Sequence, residues 1–352
     1  MLSKKYLTTA VYLTLCFQLF AQDSTKKGNL TLTGSADVYY RHNFNNASDS
    51  GHTNNLTSFT NSSKSFELGM ASVKADYTIG KTEAVVDLGF GRRAEEFSYN
   101  EKGGLTAIKQ AYISWAASDK LKFTMGKWGT HVGYELLDAY LNRNYSMDYI
   151  FSYGPFFHTG LKADITLSKN AALMIGVANP TDNVTASFSK KSLLGQLHLN
   201  TTDAKLNLYL NYVGGKDIPG NSTNQYDAVL TAVLNSTLNV GFNGTVKSVK
   251  AVGATNAESW WGSAVYLNID ASSNFGFTIR AERFDDTHGV AGLNNQIFDG
   301  TLSANIKIDN LTIIPEFRID TGKTPMFYSQ SDLLNPTAKA APSFILAAVY
   351  HF

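Results

Sequence analysis

The chain has 352 residues, 43% hydrophobic and 17% charged, with 30 basic and 29 acidic side chains and one cysteine. That balance leaves no basic excess for a nucleic-acid footprint. A single cysteine supports neither a disulfide framework nor a thiolate metal site. Beyond residue 21 no apolar run approaches the ~20 residues a membrane helix needs.

Residues 1–21 carry Lys4 and Lys5, then an apolar run from Tyr6 to Phe20, then Ala21. This is the pattern of a secretory signal peptide cut after Ala21, and the run is short for a spanning helix. Cys16 lies inside it, preceded by Leu15 rather than the small residue a lipoprotein acceptor needs. Cleavage would leave 28 basic against 29 acidic side chains and no thiol. The expected organisation is a signal peptide, 1–21, and one β-barrel domain, 22–352.

Alternating segments then recur to the end of the chain, at 29–42, 66–79, 83–97, 106–117, 120–128, 158–167, 172–179 and 191–200 in the first half. The second half continues with 204–213, 225–235, 237–250, 258–269, 274–284, 296–308, 311–320 and 343–352. In one of these, Leu206, Leu208, Leu210 and Tyr212 oppose Lys205, Asn207, Tyr209 and Asn211. A period of two places each set on its own face of a strand. Most segments have the length a tilted strand needs to cross a bilayer. The fold class is an all-β, transmembrane, antiparallel barrel of about sixteen strands, with fourteen or eighteen as alternatives.

The connections carry a more specific signal than the strands. Every even-to-odd connection is short and every odd-to-even one is longer, which is the asymmetry of an outer-membrane barrel with periplasmic turns and external loops. Tyr77, Trp115, Phe123, Phe275 and Phe352 fall near the predicted periplasmic ends, and Tyr40, Tyr212, Tyr226 and Trp261 near the outer ends. Two aromatic girdles are expected where rings meet headgroups. A closed barrel also satisfies every backbone hydrogen bond without an edge, as hydrocarbon demands. Three places fit poorly: a phase change that predicts a bulge near Ala71 and Ser72, Pro315 inside a strand, and the weak alternation of 106–117.

The loop 129–157 holds Tyr134, Tyr140, Tyr145, Tyr149, Phe151, Tyr153, Phe156 and Phe157. So many rings predict a loop folded against protein, tucked into the barrel mouth. At the chain end, the alternation through Phe344, Leu346, Ala348, Tyr350 and Phe352 looks like the signal read by the barrel assembly machinery, with Tyr350 and Phe352 as its residues.

Gly126-Lys127-Trp128-Gly129-Thr130-His131-Val132-Gly133-Tyr134-Glu135, then Asn142-Arg143-Asn144-Tyr145-Ser146, then the run from Phe151 to Gly160 resemble the OmpL-like beta-barrel porin family of Gram-negative bacteria. The resemblance implies a pore-forming outer-membrane protein and supplies no catalytic residues.

The pore-constriction hypothesis sets Glu135, Asp138 and Asp148 on the long loop against a basic wall strip of Arg93, Arg280 and Arg318, with Arg143 on the loop weakening the separation. Charge facing charge across a gap is one way a pore selects ions. The alternative is a solvated lumen wall. Arg92 and Arg283, read as pointing outward near external strand ends, suit lipopolysaccharide phosphates or simply reach water. Gly89-Phe90-Gly91-Arg92-Arg93-Ala94 mimics a dinucleotide fingerprint, but strand alternation is read through it and no helix or crossover is expected to follow. No metal, cofactor or nucleophile pattern emerges, although His131 and His158 flank the long loop.

The sequence therefore points to a passive outer-membrane diffusion channel for small hydrophilic solutes or ions, not an enzyme. Its expected partners are outer-membrane lipid and lipopolysaccharide, the barrel assembly machinery and the solutes themselves, with a homo-oligomer compatible. The alternatives are a plugged structural or adhesive barrel and, further off, a barrel enzyme.

Overall fold

The computed structural model describes residues 27–47 and 51–352; the expected signal peptide lies outside the described residues. Sixteen antiparallel strands form one closed barrel in which each strand pairs with its neighbours in sequence. They are β1 (Asn29–Asn43), β2 (Ser65–Ile79), β3 (Thr82–Phe90), β4 (Ile108–Ser118), β5 (Leu121–Gly129), β6 (Phe157–Ser168), β7 (Ala171–Ala178) and β8 (Ser192–Asn200). The second half has β9 (Leu206–Lys216), β10 (Ser222–Val233), β11 (Leu238–Lys250), β12 (Glu258–Asp270), β13 (Phe275–Asp285), β14 (Gln296–Ile308), β15 (Leu311–Gly322) and β16 (Ala340–His351).

Closure is made by the chain end. β1 pairs with β16 from Ser35↔His351 to Asn43↔Ser343. Gly34 and Phe352 then exchange both backbone hydrogen bonds, at 3.0 and 2.9 Å. No strand edge is left, which is the condition for strands in hydrocarbon. The connections at one end run from as short as 80–81 to no longer than 201–205, while those at the other reach from 217–221 to 130–156.

Burial alternates with the sequence. On β13, Arg280 and Glu282 are buried while Ile279 is exposed; on β14, Asp299, Thr301 and Ser303 are buried while Phe298 and Leu302 are exposed. The polar residues face in and the apolar ones face out, the reverse of a soluble sandwich. Tyr77, Trp115, Phe275 and Phe352 are exposed at the short-turn end, and Tyr226 and Trp261 towards the other.

Three expectations shift in detail. The bulge falls at Gly69, where the β1–β2 register steps between Asp37 and Val38, not at Ala71 and Ser72. A side chain there would collide with the Asp37 carboxylate. The third segment ends at Phe90, and Arg92–Phe97 forms a short helix, α1, so Arg93 belongs to a loop and not to the wall. The turn into it needs Gly91, which sits at φ +119° against the backbone of Gly69. Pro315 remains inside β15 and pairs with Leu346 of β16, while the β14–β15 ladder lapses beside it and resumes in the same register at Ile306↔Ile313. Proline has no N–H to give that side.

Candidate functional site

The connection 130–156 enters the barrel and crosses its full depth. A 2.9 Å hydrogen bond from Thr130 N to Phe156 O closes its neck at the long-loop end. At its far reach Arg143 meets Asp270, the last residue of β12, through two 2.8 Å bonds, and Tyr140 stacks on His351 of β16. Both partners stand at the short-turn end, so the loop is a deep insertion and not a rim around the mouth.

Apart from a 3-10 turn, Ala139–Leu141, and the helix α2, Tyr149–Tyr153, the loop has no secondary structure to satisfy its backbone. Buried amides must find partners, and wall carboxylates supply them. Glu316 accepts from Tyr145 N and Ser146 N at 2.7 and 3.1 Å. Glu282 accepts from Tyr149 N and Ile150 N at 2.8 and 2.9 Å. Asp227 accepts from Gly133 N at 3.2 Å, and the Asn243 side-chain oxygen from Tyr134 N at 3.1 Å. The arginines do the converse: Arg280 donates to Ser146 O at 2.7 Å and Arg318 to Met147 O at 2.6 Å.

Within this frame the expected constriction residues fall into separate groups. Glu135 receives Arg280 at 2.7 Å and the Asp148 amide at 2.8 Å. Asp148 receives the Tyr266 hydroxyl at 2.6 Å and caps α2 by accepting from Phe151 N at 2.7 Å. Arg280 and Arg318 both reach Asp299, at 2.8 and 3.6 Å, and Arg318 also pairs with Asp320 at 2.7 Å. Asp138 meets none of the three arginines; Lys109 of β4 takes it at 2.5 Å and Asp87 at 3.1 Å. Arg93, on α1, donates to Leu137 O at 3.0 Å and lies 3.9 Å from Asp37, between the rings of Phe59 and Tyr145.

Two carboxyls on the loop, Glu135 and Asp148, thus lie near each other in a dry environment, and Arg280 bonds only the first of them. Burial, then the Asp148 carboxylate beside it, pushes the Glu135 carboxyl up to about 8, with Arg280 opposing. Burial likewise raises Asp148. His131 and His158 come together with ring centroids 5.2 Å apart. Burial pushes the His131 imidazole down to about 4, so it packs as a neutral ring. Among the described residues no three His, Cys, Asp or Glu side chains are grouped to hold a metal ion.

The anchors Lys109, Asp227, Glu282 and Glu316 were not singled out as loop partners by sequence reasoning. The available signal was an inward-facing charge or amide flanked by outward apolar residues. Arg92 also moves from its expected place: on α1 it lines the cavity at the long-loop end, 3.8 Å from Glu67, and is not on the lipid face. Arg283 stays exposed, over the Trp261 ring at 5.6 Å.

The profile of the family described as "Putative beta-barrel porin-2, OmpL-like" matches residues 29–352. The chain belongs to this family. It is an outer-membrane porin, and the short-turn end of its barrel is the periplasmic one. No curated protein matches it. Among solved structures, this porin is similar in fold to an anion-selective porin from Comamonas acidovorans, with TM-score 0.62 and 8% identity over 93% of this chain and 100% of that one. It is similar to the outer membrane channel DcaP of Acinetobacter baumannii, with TM-score 0.60 and 10% identity over 94% and 99% of the two chains. OmpT of Vibrio cholerae gives TM-score 0.58 and 10% identity over 92% and 98%.

Proposed function

We propose that this porin passes small hydrophilic solutes or ions by passive diffusion, and that the inserted loop, not the barrel width, sets what passes. One observation carries the reading: three cavities follow one another along the loop and share lining residues. The external cavity of about 630 Å³ shares Phe156 with an inner cavity of about 220 Å³ lined by Lys109, Gln110 and Asp138. The inner cavity shares Leu141 with a periplasmic one of about 210 Å³ lined by Arg143, Asn305 and Lys307. On this reading Phe156 and Leu141, each lining two of the cavities, form the two narrows of the path. Selection follows from width and from the charges of Glu135, Asp138, Arg143 and Lys109 along it.

The deciding experiment is single-channel conductance of refolded protein in a planar bilayer, with reversal potential under a salt gradient. Steady steps are expected. At about pH 9, where Glu135 is ionised, the Glu135→Gln, Asp138→Asn double variant should move the reversal potential towards anion selectivity, because Arg280 and Lys109 lose their partners on the loop. An unchanged reversal potential would remove these carboxylates from selection.

The loop's many anchors favour a second reading, a plugged structural or adhesive barrel, and silence from correctly folded protein would establish it. On the channel reading, residues 1–21 are cut on export, Tyr350 and Phe352 are read by the barrel assembly machinery, and Arg283 meets lipopolysaccharide phosphates. Association into homo-oligomers is compatible with the apolar outer face. The barrel does its work without reaction chemistry.

A further inference from the structure

The external cavity has an imbalance of hydrogen-bonding capacity. Its acids are occupied: Asp182 accepts from Phe156 N, Phe157 N and Tyr99 Oη at 2.7, 2.9 and 3.2 Å. Glu96 accepts from Phe59 N at 2.7 Å and from the Asn61 side chain at 3.1 Å through both oxygens. Its cations keep free N–H groups. Lys247 stands on the inner face of β11 near the external end, in register with Trp260 and Gln225. Among the described residues its ammonium has no hydrogen bond or ion pair, and only the more distant Asp182 and Asp217 attract it. Arg92 lines the same cavity, with its side chain 53% exposed and its nearest carboxylate at 3.8 Å.

An ammonium and a guanidinium with free N–H groups are donors for oxygen anions. Trp260, Tyr153 and the small side chains of Val290 and Ala291 line the cavity as well, providing an apolar and aromatic wall. A volume of about 630 Å³ lies within the range of small-molecule sites. We propose that this cavity is a binding site for a small organic carboxylate with a ring or compact apolar body, its carboxylate on Lys247 and Arg92 and its body against Trp260 and Tyr153. As the entry point of a permeant solute, the site rests on the channel reading above.

The test uses the refolded full-length barrel in detergent, with benzoate and its neutral counterpart benzyl alcohol as probes in titration calorimetry, and heat-modifiable gel migration as the check of folding. Benzoate should bind saturably, benzyl alcohol at least about tenfold more weakly, and Lys247→Gln should weaken benzoate by at least about tenfold. Arg92→Gln serves as the second variant, with a smaller loss in the same direction, should the first not fold. Absence of benzoate binding to folded wild-type protein, equal binding of the alcohol, or unchanged affinity in the folded variant would overturn the proposal. The two readings fail separately: a silent bilayer with tight benzoate binding removes the channel and keeps the site, while steady conductance without binding does the reverse.

Discussion

Glu135 couples this loop to the barrel wall through Arg280. Its carboxyl sits on the loop, buried, with a pKa raised from the ordinary 4.5 to about 8 by burial and by Asp148. An acid whose pKa is raised in the folded state favours that state when protonated. The contribution to docking is therefore full below pH 4.5 and is lost as pH rises through about 8. Channel steps should grow larger and noisier between about pH 5 and pH 9, and Glu135→Gln, which stays neutral throughout, should flatten the profile. A pH profile identical in the variant would show that Glu135 does not control docking. The sequence revealed that Glu135 and Arg280 were charged and Arg280 inward. Their 2.7 Å contact joins positions 145 apart in the chain and depends on where the loop descends.

At the scale of the element, the loop 130–156 behaves as a seventeenth segment held by side chains in place of a ladder. Glu282 and Glu316 each grip two consecutive amides, and Arg280 and Arg318 grip the carbonyls between them. Arg280→Ala would leave Glu135 buried without its cation and Asp299 with Arg318 alone, at 3.6 Å, and removing one partner of a buried pair costs about 3–5 kcal/mol. That loss falls on docking and not on the ladders, so the variant should still fold while its conductance steps rise well above those of the wild type. Arg318→Ala should act in the same direction through the loss of its bond to Met147 O. The aromatic content of the loop announced that it packs against protein; its depth was not legible, because Arg143–Asp270 and Tyr140–His351 are contacts across the lumen with no local signature.

For the whole molecule, closure by β1 and β16 makes the barrel one cooperative unit with no free edge. In gel electrophoresis the folded protein should resist SDS and run as a compact band until boiled. Shortening the final strand by removing Tyr350, His351 and Phe352 should abolish that compact band, since these residues supply Leu311↔Tyr350, Ser35↔His351 and the Gly34–Phe352 pair at the seam. A compact band from the shortened chain would show that the remaining β1–β16 register suffices for closure.

The sequence by itself determined the barrel, its in–out alternation and its loop asymmetry, and put the strand count at about sixteen with fourteen and eighteen left open. Each of these is decided locally: a period of two sorts lipid-facing from lumen-facing side chains one residue at a time, and turn length is read directly along the chain. Even the misfits, Pro315 and the bulge beside Asp37, announced themselves within a residue or two of their place. Only the tertiary structure decided how deep the loop goes, that Asp138 belongs to Lys109 and Glu135 to Arg280, that Arg93 leaves the wall for α1, and that Lys247 and Arg92 line one cavity. The physical reason is that a wide lumen imposes no period on what fills it. Its partners are chosen by three-dimensional proximity and by the requirement that buried amides and charges be satisfied, and neither leaves a repeating pattern in the chain.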